Sequence, residues 1–281
     1  MTETSHKVLV ATDGSPVAHA AAYAAIEIAK ALDLVVQGLY AVDEILALDP
    51  YASYQSELDG AEDLDSRSDI IAHFEQQGQG ALQWLKAECL ARGVPIVVEM
   101  EMGGVSETIL SRAKDVQLLV LGRRGHGHPQ DTKHLGRTFQ DVAHQAHPAM
   151  LVGGDKAPPL RRLLLAYNGS PHAKEALVWT ARLQDALALE IVTLAVAEDG
   201  ADQSPGWLEA AQAGLEQCGL GGCQFLTRSG QPAAEIVTVA KEKAADLIVM
   251  GGYRHKALLE WVIGSTVDRV LRRTPLPVLV A

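Results

Sequence analysis

Short apolar runs alternate with amphipathic segments along the whole chain. The apolar runs of the first half lie at 7–11, 34–41, 94–100, 116–121 and 149–152. Continuous apolar runs of this length are typical of strands that are buried on both faces. Alanine-rich segments between them, as at 16–32 and 68–92, have the spacing of amphipathic helices.

The second half repeats this alternation. Its apolar runs lie near 162–167, 189–196, 223–227, 246–250 and 277–280. Its helical segments lie near 171–187, 205–217, 232–244 and 265–273. Strands that alternate with helices predict a parallel, doubly wound sheet with right-handed crossovers in each half. Ligands of such sheets bind at the carboxyl ends of the strands, where the strand order reverses.

The two halves also match residue by residue. Residues 8–41 align with 163–196 at a constant offset of 155, so that Asp13 faces Asn168 and the two Gly-Ser-Pro steps coincide. Later matches in the same order pair 117–122 with 246–251 and 149–152 with 277–280. Ordered, ungapped matches of this kind predict a duplicated domain.

The joint between the halves is marked by glycines and paired prolines. We predict a first domain at 1–153, a linker at 154–160 and a second domain at 161–281. Much of the extra length of the first domain lies at 43–67, an acidic segment without strong periodicity. We interpret it as a surface loop, with a lid as the alternative.

Composition narrows the classes of function. The 281 residues are 48% apolar and carry a formal net charge of −11, without a basic stripe, so nucleic acid is not an expected partner. A small anion such as a nucleotide needs only local donors and a helix N-terminus. No apolar run reaches the ~18–20 residues of a membrane span, and no secretory pattern opens the chain. The three cysteines suit a reduced cytoplasm, and we interpret all of them as structural.

The first strand exits into the turn "ATDGSP". Ser15 is a suitable N-cap and Pro16 a suitable first helical residue, so this is at least a well-formed strand-to-helix turn. The cap does not require Asp13, whose carboxylate we expect to accept a hydrogen bond from a sugar hydroxyl or a purine amino group. Asn168 takes this position in the second half. An amide also accepts hydrogen bonds but carries no charge.

The fourth strand of the first half exits into "LGRRGHGHPQDTKHLGRTFQDV". Gly122 and Gly125 can take positive φ or let a ligand approach the backbone. Gly136 precedes a helix whose first turn carries Thr138, with Asp141 three residues later. This spacing predicts a capping box with Asp in place of Glu.

The corresponding stretch of the second half is "MGGYRHKALLEWVIGST". Gly264 precedes Ser265, and Asp268 follows three residues later, which predicts a second capping box. In the simplest interpretation these residues only begin a helix. In the functional interpretation the free N–H groups and the hydroxyl also receive phosphate oxygens.

Other chemistries lack a recognisable pattern. Five histidines cluster in the first half, but their spacing fits no compact zinc motif: His126, His128, His134, His144 and His147. The sequence contains neither a P-loop nor a nucleophile elbow. Ser15 and Ser170 lie in strand–turn–helix contexts, but no base is identifiable for either.

These motifs in this order resemble the universal stress protein family. The likeness rests on strand–"ATDGSP"–helix at the start and on strand–G-x-x-G–G-S/T–helix–strand at the end, and it covers both halves. It implies a tandem protein with two five-stranded parallel sheets flanked by helices, a fold like that of the adenine nucleotide alpha hydrolases. It also implies a cytoplasmic location and a role in stress survival.

Many family members bind ATP through a G-x2-G-x9-G-[S/T] motif together with the strand-one aspartate, whereas others lack the motif. The first half matches at Asp13 with its neighbour Gly14, and at Gly122, Gly125 and Gly136. The last gap is ten residues rather than nine, and Arg137 stands where Ser or Thr is expected, with Thr138 after it. A cation at a helix N-terminus is unfavourable unless Asp141 or a bound phosphate neutralises it.

The second half departs further from the motif. Gly251, Gly264 and Ser265 match, and Thr266 follows, but Asn168 replaces the aspartate and Arg254 replaces the second glycine. The Arg254 side chain would either fill the phosphate space or grip a phosphate bidentately. Family members contact adenine from the end of the second strand, which corresponds loosely to Val42 and Val196.

The resemblance favours a non-catalytic stress protein that binds ATP, ADP or AMP, with or without Mg²⁺, in its first half. The degraded motifs support an alternative, a protein-interaction or small-ligand module that has lost nucleotide binding. A slow ATPase is the third hypothesis, although no residue can be assigned to a metal or a nucleophile. Family members often pair through their last strands. We therefore predict an intramolecular pseudo-dimer through "AMLV" and "PVLV" and leave a further homodimer and the protein partner open.

Overall fold

A computed structural model describes residues 6–43, 67–125, 134–197, 204–252 and 265–281. The chain forms two compact units, Met1–Asp155 and Lys156–Ala281. The segment 44–66, which includes most of the predicted surface loop, lies outside the described residues. Each unit is described by itself below.

The first unit alternates strands and helices as the pattern predicts. Its elements are β1 (Lys7–Ala11), α1 (Pro16–Ala31), β2 (Val35–Asp43), α2 (Arg67–Ala91), β3 (Ile96–Gly103), α3 (Val105–Arg112), β4 (Leu118–Leu121), α4 (Arg137–Gln145) and β5 (Ala149–Val152). The hydrophobic pattern does not reveal α3, because Thr108 and Ile109 are its only fully buried residues.

The second unit has the same order. Its elements are β6 (Arg162–Ala166), α5 (Pro171–Leu187), β7 (Glu190–Ala197), α6 (Ser204–Gln217), β8 (Gln224–Ser229), α7 (Pro232–Glu242), β9 (Leu247–Met250), α8 (Ser265–Arg273) and β10 (Val278–Val280).

The described residues of each unit form five parallel strands. Their order is β3-β2-β1-β4-β5 in the first unit and β10-β9-β6-β7-β8 in the second. All four residues of the central strands β4 and β9 are buried, as expected for strands covered on both faces. The predicted doubly wound α/β fold is confirmed. In the first unit the strand order reverses between β1 and β4, which places the expected ligand crevice at their carboxyl ends.

The first helix of each unit begins at the predicted cap. Ser15 Oγ accepts from Ala18 N at 3.2 Å, and Ser170 Oγ accepts from Ala173 N at 3.1 Å. A proline occupies the first turn of both helices. Because each cap satisfies an N–H that the helix leaves without an intrahelical partner, both turns are fixed by local chemistry alone.

The capping box predicted in α4 is wrong. The N-cap is Gly136, and no side chain donates or accepts a capping hydrogen bond there. Thr138 therefore lies inside the first turn, and Asp141 instead faces Arg137, with 3.9 Å between Oδ2 and Nε. In the second unit Asp268 accepts two hydrogen bonds from Arg272, and the side chain of Ser265 lies outside the described residues.

Candidate functional site

A cavity of about 460 Å³ lies in the first unit at the carboxyl ends of β1, β2 and β4. Its volume falls within the range of small-molecule sites. Six residues predicted from the sequence to bind nucleotide line it: Asp13, Gly122, Gly125, Gly136, Arg137 and Thr138. They come from three separate stretches of the chain, and the switch in strand order brings them to one crevice.

Asp13 takes part in the turn before α1. Its Oδ1 accepts from Ser15 N at 2.9 Å, so the carboxylate helps to form the turn before α1, contrary to the expectation that the turn does not need it. Asn168 does the same in the second unit, where its Oδ1 accepts from Ser170 N at 3.2 Å. An amide and a carboxylate both supply this acceptor. The exchange of Asp for Asn therefore keeps the turn and removes the charge.

The motif glycines pack the loop after β4 against its neighbours. A Cβ on Gly122 would lie 3.0 Å from Arg124 O and 3.4 Å from Ala18 N, at the start of α1. Gly136 N donates to Arg123 O at 2.9 Å, which ties the start of α4 to the same loop. Close packing within the protein is thus one reason for these glycines.

Gly125 faces the carboxylate of Asp13. A Cβ at this position would lie 2.8 Å from Asp13 Oδ2, a distance shorter than normal Cβ contacts. Any side chain here would displace Asp13 or the loop. Gly125 therefore keeps the carboxylate accessible at the wall of the cavity.

The start of α4 forms one wall of the cavity. The first N–H groups of a helix have no intrahelical acceptor, and the helix dipole favours an anion at this end. The side chain of Arg137 is 86% exposed, and its ion pair with Asp141 is long, with 3.9 Å between Nε and Oδ2. Arg137 is therefore directed largely into solvent and does not fill the cavity.

Aromatic side chains that the motifs do not reveal supply an apolar wall. Tyr40, Phe74 and Phe139 line the cavity, and all three are largely buried. Burial and, to a smaller extent, the nearby charge of Asp13 together raise the pKa of Tyr40 to about 12. The Tyr40 phenol therefore stays protonated at neutral pH and remains a hydrogen-bond donor.

Two predicted residues of this unit lie beside the cavity rather than on its wall. Val42 is 2% exposed and packs in a hydrophobic cluster with Tyr40, Ile70 and Phe74. Gly14 adopts a φ of +80°, which glycine takes without steric cost. The N–H of Gly14 donates to Thr12 Oγ1 at 3.1 Å. The conformation of the turn therefore explains why glycine occupies this position.

The loop between Gly122 and Gly125 carries two arginines that the motif itself does not single out. Arg123 is 4% exposed and Arg124 is 7% exposed. An Nη2 atom of each lies 2.8 Å from the same oxygen, Oδ1 of Asp155. Arg124 also lines the cavity. The sequence signal was present, since both residues occupy the variable positions of the G-x-x-G motif.

The equivalent region of the second unit is arranged differently. A Cβ on Gly169 would lie 2.7 Å from Trp207 Cδ1, so the indole of α6 covers the turn that follows β6. Asn168 is exposed beside it. Gly251 approaches the start of α5, where a Cβ would lie 2.7 Å from Ala173 N.

The remaining predicted residues of the second unit that the structure describes do not line the cavity of about 460 Å³. Val196 is 9% exposed, and Thr266 is half-buried in α8. Arg254, Gly264 and the side chain of Ser265 lie outside the described residues. Whether the guanidinium of Arg254 fills a phosphate space therefore stays a prediction.

A second cavity, of about 590 Å³, is larger but lies at the wrong end of a sheet for a ligand of this fold. Arg162, Glu190 and Gln224 line it, and they occupy the first positions of β6, β7 and β8. Ligands of doubly wound sheets bind at the carboxyl ends instead. No residue predicted to bind nucleotide lines this cavity.

Two other features are absent from the described part of the chain. Within it, no helix is long and apolar enough to cross a membrane. Nor do His, Cys, Asp and Glu side chains form there a group of three that could hold a metal ion. His126 and His128, of the histidine cluster, lie outside the described residues.

Comparison with known proteins places these features in a family. The model of the universal stress protein family matches residues 4–152 and 159–281. A universal stress protein of Synechocystis is 30% identical over 167 residues, which are 59% of this chain and 58% of that protein. One from Mycolicibacterium smegmatis is 25% identical over 297 residues, with 99% of this chain and 97% of that protein covered.

Solved structures agree at the level of the fold. The crystal structure of a universal stress protein from Archaeoglobus fulgidus matches with a TM-score of 0.76 at 20% identity, covering 99% of this chain and 98% of that one. The family model matches nearly the whole chain in two successive segments. The chain therefore belongs to the universal stress protein family, as a tandem of two of its domains.

Proposed function

We propose that the first unit binds an adenine nucleotide, ATP, ADP or AMP, without turning it over, and that the protein acts in the cytoplasmic stress response. One observation carries the proposal. A single cavity of about 460 Å³ is lined by Asp13, the loop glycines and the start of α4, at the switch point of the sheet. These groups offer acceptors, close backbone approach and a helix N-terminus in one crevice.

Each part of a nucleotide has a suitable neighbour in this cavity. The rings of Tyr40 and Phe74 provide apolar surface for a purine. A carboxylate accepts roughly four hydrogen bonds, so the bond from Ser15 N leaves Asp13 capacity for a ribose hydroxyl or an amino group. The start of α4 and the backbone of the glycine loop suit the phosphates. Mg²⁺ bound together with the nucleotide stays a prediction, and we assign it no protein ligand.

Asp13→Asn tests the proposal without disturbing the turn. Because Asn168 makes the equivalent turn hydrogen bond in the second unit, the amide should keep the turn and remove the charge. We expect thermal unfolding to be nearly unchanged and ATP affinity to fall about tenfold or more, as for loss of a hydrogen bond to a charged group. Calorimetric titration with ATP measures this. Unchanged ATP affinity in the variant would contradict the role of Asp13.

A slow ATPase is distinguished by the fate of the ligand. If the protein only binds, ATP incubated with it should be recovered unhydrolysed. Release of ADP at ordinary enzymatic rates would instead support catalysis.

A different role suits the second unit. Trp207 covers the turn after β6, and Asn168 carries no charge, which favours an interaction or small-ligand module there over a nucleotide site. Titration with ATP should then give one site per chain.

The pairing of the last strands of the two domains also stays a proposal. Light scattering of the 30.0 kDa chain tests the further homodimer that the prediction leaves open. A stable particle of twice that mass would favour a homodimer.

A further inference from the structure

A polar side chain of α2 lies on the cavity wall beside the rings of Tyr40 and Phe74. Gln77 lines the cavity three residues after Phe74, and residues three apart share one face of a helix. Its neighbour Gly78 lies against Tyr40, since a Cβ there would be 2.6 Å from Cδ1 of the ring. The amide of Gln77 therefore borders the two rings that we assign to the purine.

His73 holds one end of this amide. Gln77 Nε2 lies 3.0 Å from His73 Nε2, one helical turn earlier. Because an amide nitrogen only donates, the imidazole nitrogen accepts, which places the imidazole proton on Nδ1. The imidazole packs edge-on against Phe74, with 5.9 Å between the ring centroids and 70° between the ring planes. His73 is thus placed to act as a positioning residue for the Gln77 amide.

The bond to His73 leaves Gln77 Oε1, an acceptor, as the other hydrogen-bonding end of the amide. Within the described part of the chain, no donor to this oxygen is found. The carboxylates of Asp13 and Asp43 also line the cavity, and a carboxylate only accepts. The Tyr40 hydroxyl both donates and accepts, so it does not discriminate between ligand groups. These acceptors together match a base that carries a donor group.

We propose that Gln77 reads the group at C6 of the bound purine, so that the first unit prefers a 6-amino purine to a 6-oxo purine. The inference rests on the proposed nucleotide site and adds a residue that determines its base specificity. A 6-amino group donates to Oε1 of Gln77, whereas a 6-oxo group sets two acceptors against each other. Without His73 the amide could rotate and present Nε2, which suits a 6-oxo group.

The test compares ATP with inosine triphosphate (ITP), which carries an oxo group at C6, by calorimetric titration of the full chain. The wild type should bind ATP about tenfold or more tightly than ITP. Gln77→Met keeps a long side chain with good helix propensity but removes the amide, so the two affinities should become nearly equal. Gln76→Met is the matched control, because Gln76 is an exposed residue of the same helix that does not line the cavity. It should leave the preference for ATP unchanged.

Two variants of His73 separate positioning from packing. His73→Phe keeps an aromatic ring beside Phe74 but removes the acceptor, so the preference for ATP over ITP should fall. His73→Gln supplies an acceptor oxygen to the Gln77 amide and should restore the preference. Equal loss of ATP and ITP affinity in His73→Phe would assign the imidazole a structural role only. A preference that falls equally in both variants would likewise overturn the role of His73.

Failure of this inference and failure of the proposed function give different results. If the wild type prefers ATP and Gln77→Met keeps that preference, another group reads the base, so the inference is wrong and the nucleotide site stands. Equal binding of ATP and ITP by the wild type would refute base reading by Gln77 in the same way. If the wild type binds neither nucleotide, the proposed site and the inference are both wrong.

Discussion

Gly78 and Gly80 lie two residues apart in α2, yet alanine should have opposite effects at the two positions. Alanine is about 1 kcal/mol more favourable than glycine in a helix interior. At Gly80 nothing lies within 4 Å of the added Cβ, so this gain should be realised in full. At Gly78 the Cβ would lie 2.6 Å from Tyr40 Cδ1 and 2.9 Å from Met100 Cε.

The contact at Gly78 decides whether Gly78→Ala raises or lowers the free energy of unfolding. The end of Met100 can move, but the Tyr40 ring is 6% exposed and must shift as a body. Overpacking of this kind costs about 1–3 kcal/mol, which exceeds the helix gain. We expect Gly78→Ala to lower the free energy of unfolding by about 1 kcal/mol and Gly80→Ala to raise it by about as much.

Thermal unfolding measures both variants on one scale. A change of 1 kcal/mol shifts the Tm of a domain of this size by roughly 2–4 °C, so the two variants should differ by several degrees. Because Tyr40 also lines the cavity, Gly78→Ala should weaken ATP binding while Gly80→Ala should not. Equal stabilisation by both changes, with unaltered ATP affinity, would refute the position assigned to Tyr40.

Two further predictions concern titration and reactivity. Tyr40 has a pKa of about 12 in the folded protein against 10.0 for the free side chain, so above pH 10 the unfolded chain loses this proton first and stability falls as pH rises. The loss is about 2 kcal/mol at pH 12 and approaches about 3 kcal/mol only above it. Tyr40→Phe should therefore show a smaller fall in the free energy of unfolding measured with urea, and identical pH curves would contradict this. Burial raises the pKa of the Cys89 thiol to about 11, whereas Cys218 is exposed. At pH 8 a thiol reagent should therefore modify Cys218 first and Cys89 only when the protein unfolds. Peptide mass mapping follows both reactions. Equally fast modification of the two cysteines would be inconsistent with the buried position of Cys89.

Much of the fold could be predicted because local signals and burial agree. Strands such as β4 and β9 are buried on both faces and leave continuous apolar runs in the sequence. Ser15 and Ser170 mark helix starts through bonds that span three residues. By contrast α3 is short and buries only two residues fully, so it leaves little periodicity.

The site could be predicted only in part. The motif glycines and Asp13 can be recognised because their spacing in the sequence is local. The aromatic wall cannot, because it brings Tyr40 of β2 next to Phe74 of α2 and so depends on packing between elements. The partnership of Arg124 with Asp155 spans 31 residues and likewise follows from tertiary structure. The role of Asp13 in the turn was missed, because an Asx-type hydrogen bond competes with the ligand role that the motif suggests.

The central claim is that one nucleotide binds in the first unit and none in the second. Calorimetric titration of the full chain with ATP tests it through the stoichiometry and through one variant in each unit. Gly125→Arg should abolish binding, because even a Cβ there would lie 2.8 Å from Asp13 Oδ2. Asn168→Ala alters the equivalent turn of the second unit and should leave one site of unchanged affinity. Tight binding that survives Gly125→Arg, or is lost in Asn168→Ala, would contradict the account.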